Sequence, residues 1–479
     1  MIDFTKMWSG LDWGVIVLYF VFIIAVGLTM RRRASKNMKS YFVAARRLTI
    51  PVLIGVGAAS WIDSWSIVGL AECGTTMGIC ILFIYVIPNT ILRLPLALWI
   101  GPLVRDRMPD WVITMPDLME YMYSRNTKLI MAIGMLCPVL YEAALLTAGG
   151  QVISYVTGIN MWVAFIILGL IIVGYTSLSG MFGLAVTDMV QFVIMSIAAG
   201  VLCVGMFMHF DGFAPIFEQA HTIDPNLTSP SGGLSGMEML SWAIGAVAMY
   251  ANSQSYQRFG SSKSGGDIKV SYSCIMLFSV AFSTIMVLAG MATLVQYPEV
   301  AAESPSQAFW AIVFETLPIG LRGLFVAALL SAVMSTVSAD YLIAGAVVVH
   351  DIYRGFINKN LTDKGEVVAT KVVIAAIGII IIFATYFWQD GISKAYYYIG
   401  GFQVAAFFVP LMFGLFYKKK TAAAGFWSLL LAIVMYMVWQ FILQCPAGIP
   451  TNLACIIFSI VVYVVIAKAT YKENAQLSA

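Results

Sequence analysis

The sequence predicts an all-α polytopic membrane protein with about thirteen transmembrane helices, and three observations lead to this fold class. Of the 479 residues, 61% are hydrophobic and 11% are charged, whereas a soluble globular protein is roughly half apolar and about a quarter charged. The apolar residues form long continuous runs, which favour helices over the alternating pattern of a membrane β-barrel. Basic residues concentrate in alternate segments between the runs, with 179–184 as the exception. This composition excludes a soluble enzyme, a disordered protein and a nucleic-acid-binding protein.

Each predicted span is an apolar run close to the roughly 20 residues that a bilayer-crossing helix needs. The runs lie at 13–30, 50–72, 79–104, 129–156, 161–178, 185–210, 238–257, 270–296, 319–349, 370–388, 393–417, 421–443 and 450–468. With the N-terminus outside, only four of the 27 Lys and Arg residues fall outside the inner segments. These four are Lys6, Arg93, Arg322 and Lys394. Because inner loops collect basic residues, we predict an outside N-terminus and an inside C-terminus.

Charged side chains inside the spans are the first candidates for function. Asp63, Glu142, Asp340 and Arg93 fall within apolar runs, where ionisable groups are costly and usually functional. Pairing among these four groups is the alternative interpretation. The three histidines, His209, His221 and His350, lie near span ends or in an outside loop, and the sequence predicts no cluster among them.

The second and ninth spans carry small and polar residues in their middle. Residues 55–69 read GVGAASWIDSWSIVG, and residues 332–340 read AVMSTVSAD. At helical spacing, Ala332, Ser335 and Thr336 share one face. Broken helices that offer carbonyls near the bilayer midplane hold cations in secondary transporters, and neutral oxygens suit Na⁺ better than transition metals. The alternative is ordinary packing of small residues between helices.

The sequence resembles the sodium:solute symporter family along nearly its whole length. The segments that carry the resemblance are 37–47 (NMKSYFVAARR), 60–74 (SWIDSWSIVGLAECG), 175–191 (YTSLSGM followed by TDMVQ), 332–353 (ending in DIY) and 414–420 (GLFYKKK). The resemblance implies a LeuT-like fold in a single transporter domain, 1–479, with two oppositely oriented repeats of five helices. The repeats are expected at 50–210 and 238–417, with an extra N-terminal helix at 13–30 and two extra helices at 421–468.

The resemblance also implies ligands for a sodium ion. These are the carbonyls of Ala59, Ile62 and Ala332 and the hydroxyls of Ser335 and Thr336. A candidate second ion site consists of Asp188, Ser338 and Asp340. Because Ala339 stands where some family members have a serine, we expect a single sodium ion.

The solute is expected beside the second span. We predict a solute site formed by Trp61, Asp63, Ser64, Tyr141, Asn252, Gln254 and Gln403. Trp61 and Tyr141 resemble two walls of a choline-binding aromatic cage, in which a cation lies against aromatic rings, but Asn252 aligns with the expected third wall.

We therefore predict a Na⁺-coupled symporter for a small cationic or zwitterionic solute, such as proline, another amino acid or a choline-like amine. Its expected location is the inner membrane of a bacterial cell, with the lipid bilayer as surroundings and no nucleic-acid partner, and we expect it to act as a monomer. The open alternatives are proton coupling through Asp63 or Asp340, and Na⁺ symport of a carboxylate, pantothenate or a sugar. A channel and a membrane-embedded enzyme are rival classes, but the sequence contains no filter-like loop and no HExxH motif.

Overall fold

The computed structural model describes residues 4–34, 37–387 and 392–471, and helices dominate these ranges. Ten helices are long and apolar enough to cross a membrane, and one bent pair passes the same test. The ten are Gly10–Met30, Leu82–Arg107, Arg125–Thr157, Met161–His209, Gly265–Gln296, Leu321–Ile357, Asp363–Phe387, Tyr398–Phe416, Ala422–Ile442 and Thr451–Thr470. The bent pair is Ile50–Trp61 with Trp65–Met77. The predicted all-α membrane fold is confirmed; the count of thirteen spans and the sides of the two termini, whose last residues lie outside the described ranges, stay predictions.

The longest helix accounts for two predicted spans. Met161–His209 has 49 residues, which at 1.5 Å per residue makes it roughly 75 Å long, more than twice the ~30 Å apolar core of a bilayer. Gly180 interrupts it with φ 51° and ψ −160°, a conformation that favours glycine. A Cβ at this position would stand 2.6 Å from the ring of Tyr41. The kink therefore separates the runs predicted at 161–178 and 185–210.

The core of the protein surrounds the helix Leu321–Ala346, here called the central helix. In the apolar window of the span that contains it, 89% of the residues are buried, as expected for a helix that is apolar on all sides. It packs against Met161–His209, Gly10–Ala34 and Ile50–Trp61. The predicted ninth span is thus the element around which the other helices assemble.

The seventh predicted span, 238–257, is not one continuous helix. It consists of Gly236–Gly245, the 3₁₀ segment Ala246–Ala251 and Ser253–Ser261. Further short helices connect the long ones, and they are Met38–Val43, Met115–Met122, Ala214–Ile223, Pro298–Glu303 and Pro305–Thr316.

Five ionisable residues, Asp117, Lys128, His350, Asp351 and Glu366, form a buried charge cluster. The ammonium of Lys128 lies 2.5 Å from Asp117 and 3.4 Å from Asp351. His350 lies between two acids, 3.3 Å from Asp117 and 2.6 Å from Glu366. His350 therefore meets acids rather than another histidine, and the sequence could not predict this meeting because Asp117 and His350 are more than two hundred positions apart.

Asp117 belongs to the short helix Met115–Met122 and is almost fully buried. Burial raises the pKa of its carboxyl, but hydrogen bonding and charge from His350, together with the charge of Lys128, outweigh burial and hold this pKa below its usual value. The stabilisation that Asp117 provides is therefore present above the pKa of an unfolded aspartate and is lost as the pH falls through the lower folded value.

Asp117→Asn is expected to lower the Tm of the purified protein at neutral pH, because removing one partner of a buried ion pair costs about 3–5 kcal/mol. Asp110→Asn is the matched control, since the side chain of Asp110 is 80% exposed and surface ion pairs contribute little. Below roughly pH 4 the Tm of the wild type should fall towards that of Asp117→Asn. Equal Tm values for the two variants at neutral pH would contradict this account.

Candidate functional site

The candidate site begins at a break between Ile50–Trp61 and Trp65–Met77, which are inclined by 65°. Ile62 ends the first helix with φ −106° and ψ 87°, outside the helical region. The carboxylate of Asp63 accepts hydrogen bonds from the backbone N–H and the hydroxyl of Ser66, both at 2.9 Å. Such side-chain bonds compete with helical ones. The carbonyl of Ala58 still accepts the helical hydrogen bond from the N–H of Ile62, but the later carbonyls of this last turn are left for other partners.

Ser335 joins this break to the central helix. Its hydroxyl donates to the carbonyl of Ala59 at 2.9 Å and lies 3.1 Å from the carbonyl oxygen of Ala332. The neighbouring Thr336 is buried, and its Oγ1 has no hydrogen-bond partner among the described residues. Ile62 is buried at the break itself. The five predicted sodium ligands therefore lie where the two helices meet.

The oxygens gathered here are neutral hydroxyls and carbonyls. Oxygen ligands suit hard cations, and unwound backbone carbonyls in broken helices hold Na⁺ in transporters. The unpartnered Oγ1 of Thr336 is a buried polar atom whose desolvation such an ion would compensate. The donor set of these residues fits a sodium ion.

The three residues of the candidate second ion site occupy different surroundings. Asp188 is fully buried, and neither carboxylate oxygen has a hydrogen-bond partner among the described residues. Ser338 donates its hydroxyl to the carbonyl of Ser335 at 3.1 Å, whereas Asp340 lines the cavity described next. Arg258 attracts both acids electrostatically, so the protein itself supplies a counter-charge.

A cavity of about 840 Å³, open mouth included, adjoins the break. Six of the seven predicted solute-site residues line it, namely Trp61, Asp63, Tyr141, Asn252, Gln254 and Gln403. The seventh, Ser64, is buried outside this lining. Thr336 also lines the cavity, so the candidate ion site and the candidate solute site share a wall.

A second broken helix reaches the same cavity. Asn252 has φ −78° and ψ 113°, and its side chain accepts a hydrogen bond from the N–H of Ser255, the usual geometry of a helix N-cap. Sequence reasoning placed Asn252 at the cavity but missed this break. The run Asn-Ser-Gln-Ser inside an apolar segment was the available signal.

Arg258 connects the two broken helices. It is 1% exposed, and its guanidinium donates to the hydroxyl of Ser60, to Gln257 at 2.7 Å and to the carbonyl of Gln254 at 3.3 Å. Ser60 belongs to the first broken helix, and the other partners belong to the second. Arg258 thus fixes the two helices against each other beside the cavity.

The predicted solute site did not include Asn89 and Arg93, which are among the other residues that line the cavity. Asn89 and Arg93 are four residues apart on Leu82–Arg107, are both buried, and line the cavity. The guanidinium carbon of Arg93 lies 4.0 Å from the ring centroid of Trp61. Because residues four apart share a helix face, two polar residues at this spacing in an apolar run were a readable signal.

Comparison with known proteins gives several relatives that match most of the chain. It is 22% identical to the osmoregulated proline transporter OpuE of Bacillus subtilis, covering 88% of this chain and 87% of that protein. It is 21% identical to the high-affinity proline transporter PutP of the same organism, covering 91% and 95%. Mouse sodium/glucose cotransporter 4 is 24% identical over 90% of this chain and 69% of its own length.

Among solved structures, a Na⁺-coupled sialic acid symporter in a substrate-bound outward-open state superimposes with a TM-score of 0.82. The alignment covers 96% of this chain and 98% of the symporter, at 17% identity, and therefore shows a common LeuT-like fold. The profile of the sodium:solute symporter family matches residues 41–432. The broken helices, the cavity and this match over most of the sequence lead to one conclusion: the chain belongs to the sodium:solute symporter family, whose members are membrane transporters and not enzymes.

Proposed function

We propose that this symporter takes up a small amino acid, with proline as the first candidate, together with Na⁺ held by Ala59, Ile62, Ala332, Ser335 and Thr336. It would do so as a monomer in the inner membrane of a bacterial cell. The observation that most supports this proposal is that the candidate ion site and the candidate solute site share a residue. Thr336 belongs to the group of oxygens at the helix break and also lines the cavity. An ion bound there would touch the solute site directly.

This contact supports a simple coupling mechanism. Na⁺ at the break would stabilise the arrangement of the two helices that also forms one side of the cavity. A solute that binds this arrangement gains affinity when Na⁺ is present, and Na⁺ gains affinity by the same factor when the solute is present. The Na⁺ gradient then drives uptake as the cavity opens alternately to the two sides of the membrane.

The cavity chemistry supports an amino acid over a carboxylate, pantothenate or a choline-like amine. Asp63 and Asp340 both line the cavity, which disfavours carboxylates and pantothenate because they carry negative charge without a compensating amine. The guanidinium of Arg93 covers a face of Trp61, which disfavours a choline-type cage. The two Bacillus subtilis relatives are proline transporters, and the family match favours Na⁺ over a proton as the coupling ion.

The two broken helices also support the proposed internal repeat. The first begins at Ile50, near the start of the proposed repeat 50–210, and the second begins at Gly236, near the start of 238–417. Discontinuous helices in corresponding positions of two inverted halves are typical of this class of transporter.

The proposal is tested by proline uptake into proteoliposomes under an inward Na⁺ gradient. Accumulation above the outside concentration is expected, and equilibration alone would indicate a channel. Ser335→Ala and Thr336→Ala each remove a hydroxyl ligand and should raise the Na⁺ concentration for half-maximal uptake about five- to tenfold, the effect of losing roughly 1 kcal/mol of interaction. Ser331→Ala, one turn earlier on the central helix, is the control. Unchanged Na⁺ dependence in both ligand variants would contradict the ion site.

A ratio of one Na⁺ per solute is expected, because Ala339 lacks the side-chain oxygen that a second ion site would use. Reversal potentials measured in the same vesicles give this ratio, and Asp188→Asn should leave it unchanged. A measured ratio of two would show that Asp188 or Asp340 holds another ion.

Asp63→Asn is expected to weaken solute binding about tenfold or more while shifting the Na⁺ dependence less, because hydrogen bonds to charged groups contribute about 1.5–3 kcal/mol. Equilibrium binding of labelled proline at saturating Na⁺ measures the first effect, and its Na⁺ titration measures the second. Glu72→Gln, an acid on the same broken helix outside the cavity lining, serves as the control. Normal solute affinity in a stable Asp63→Asn protein would remove Asp63 from the site.

A further inference from the structure

The cavity presents a fixed positive charge as well as negative ones. Arg93 is 5% exposed and lies in the cavity lining together with Asp63. Arg93 lies on the helix Leu82–Arg107, whereas Asp63 lies at the break that follows Ile50–Trp61. Groups of opposite charge that face one cavity are complementary to a solute that carries both charges.

The guanidinium of Arg93 is held in a defined orientation. Its carbon lies 4.0 Å from the ring centroid of Trp61, and Trp61 packs edge to face against Tyr272 at 5.2 Å. Stacking engages the face of a guanidinium, while its N–H donors point outward along its edge in a planar fork that matches a carboxylate. Arginine binds carboxylates through such paired hydrogen bonds.

Asn89 adds an independent observation at the same place. It lies one helical turn before Arg93, is 6% exposed and lines the cavity. Its Oδ1 has no hydrogen-bond partner among the described residues. A buried amide oxygen that lacks a partner is costly and calls for a donor such as the ammonium group of a solute, while the N–H₂ group of the same amide can donate to a carboxylate bound at Arg93.

Asp63 is equally well fixed. Its carboxylate accepts hydrogen bonds from the N–H and hydroxyl of Ser66 at 2.9 Å and from the hydroxyl of Tyr141 at 3.1 Å. An ionised carboxylate offers about four acceptor positions. Three internal donors therefore orient Asp63 and leave acceptor capacity for an ammonium group.

We propose that Arg93 is the specificity-determining residue that binds the carboxylate of the solute, assisted by Asn89, while Asp63 binds its ammonium group. The transported class is then the free amino acids, and amino acid amides, simple amines and simple carboxylates bind more weakly. This inference rests on the proposed function, because it assigns roles within the same solute site.

The test compares two ligands in two proteins. Proline and prolinamide differ in the carboxylate, and their equilibrium binding is measured by calorimetry on purified protein at saturating Na⁺. The wild type should prefer proline. Arg93→Gln should weaken proline binding about 10- to 100-fold, the range for losing hydrogen bonds to a charged group, and should leave prolinamide binding nearly unchanged. Arg93→Lys keeps the positive charge but loses the paired donors of the guanidinium, so its proline affinity should lie between those of the wild type and Arg93→Gln.

Arg322→Gln is the control for loss of an arginine, because Arg322 binds the backbone carbonyls of Met7 and Leu317 outside the cavity lining. An equal loss of affinity for both ligands in Arg93→Gln would show a structural role and overturn the inference, as would unchanged proline affinity. If Arg93→Gln lost stability and Asp63→Asn in the same chain restored it, Arg93 would serve only to neutralise Asp63.

Separate results would contradict the proposed Na⁺ coupling and the proposed role of Arg93. Na⁺-driven proline uptake together with an Arg93→Gln protein that still distinguishes proline from prolinamide would overturn only the role of Arg93. Binding that distinguishes the two ligands but is independent of Na⁺ would overturn the proposed coupling and leave the role of Arg93 intact.

Discussion

The hydrogen bond from the Ser335 hydroxyl to the Ala59 carbonyl marks the contact on which the rest of the structure depends. A helix that breaks at membrane depth exposes backbone groups for which lipid offers no partner. Here the side chains of Asp63 and Ser335 supply part of the missing hydrogen bonding. The central helix therefore helps to stabilise the break, and the same arrangement concentrates neutral oxygens that suit a desolvated cation.

A second broken helix lies against the same cavity. Asn252 caps the N-terminus of the helix Ser253–Ser261, which begins at the same cavity. Arg258 forms hydrogen bonds to both broken helices. Side chains from two broken helices therefore line the same cavity. Ion and solute would each favour the same arrangement of these ends, which is what reciprocal coupling requires. The buried cluster around Asp117 joins three other elements, which are Met115–Met122, Val347–Ile357 and Asp363–Phe387.

Much of this site could be predicted from the sequence, because membrane burial makes polar residues conspicuous. Asp63 and the Ser335–Thr336 pair stood out in apolar runs, and six of the seven predicted solute residues line one cavity. Ser64 was misplaced because the direction of a side chain at a helix break depends on backbone angles that residue spacing does not specify. The stacking of Arg93 on Trp61 and the meeting of His350 with Asp117 join distant segments, and a single sequence carries no information on which distant residues meet.

The central claim is that the break and the central helix together hold a sodium ion that the solute stabilises. Equilibrium binding of radioactive sodium to the purified protein tests this most directly, since it requires neither transport nor a membrane potential. We predict saturable binding of one Na⁺ per chain, which becomes tighter when proline is added. Absence of saturable Na⁺ binding, or Na⁺ affinity that is the same with and without every amino acid tested, would contradict it.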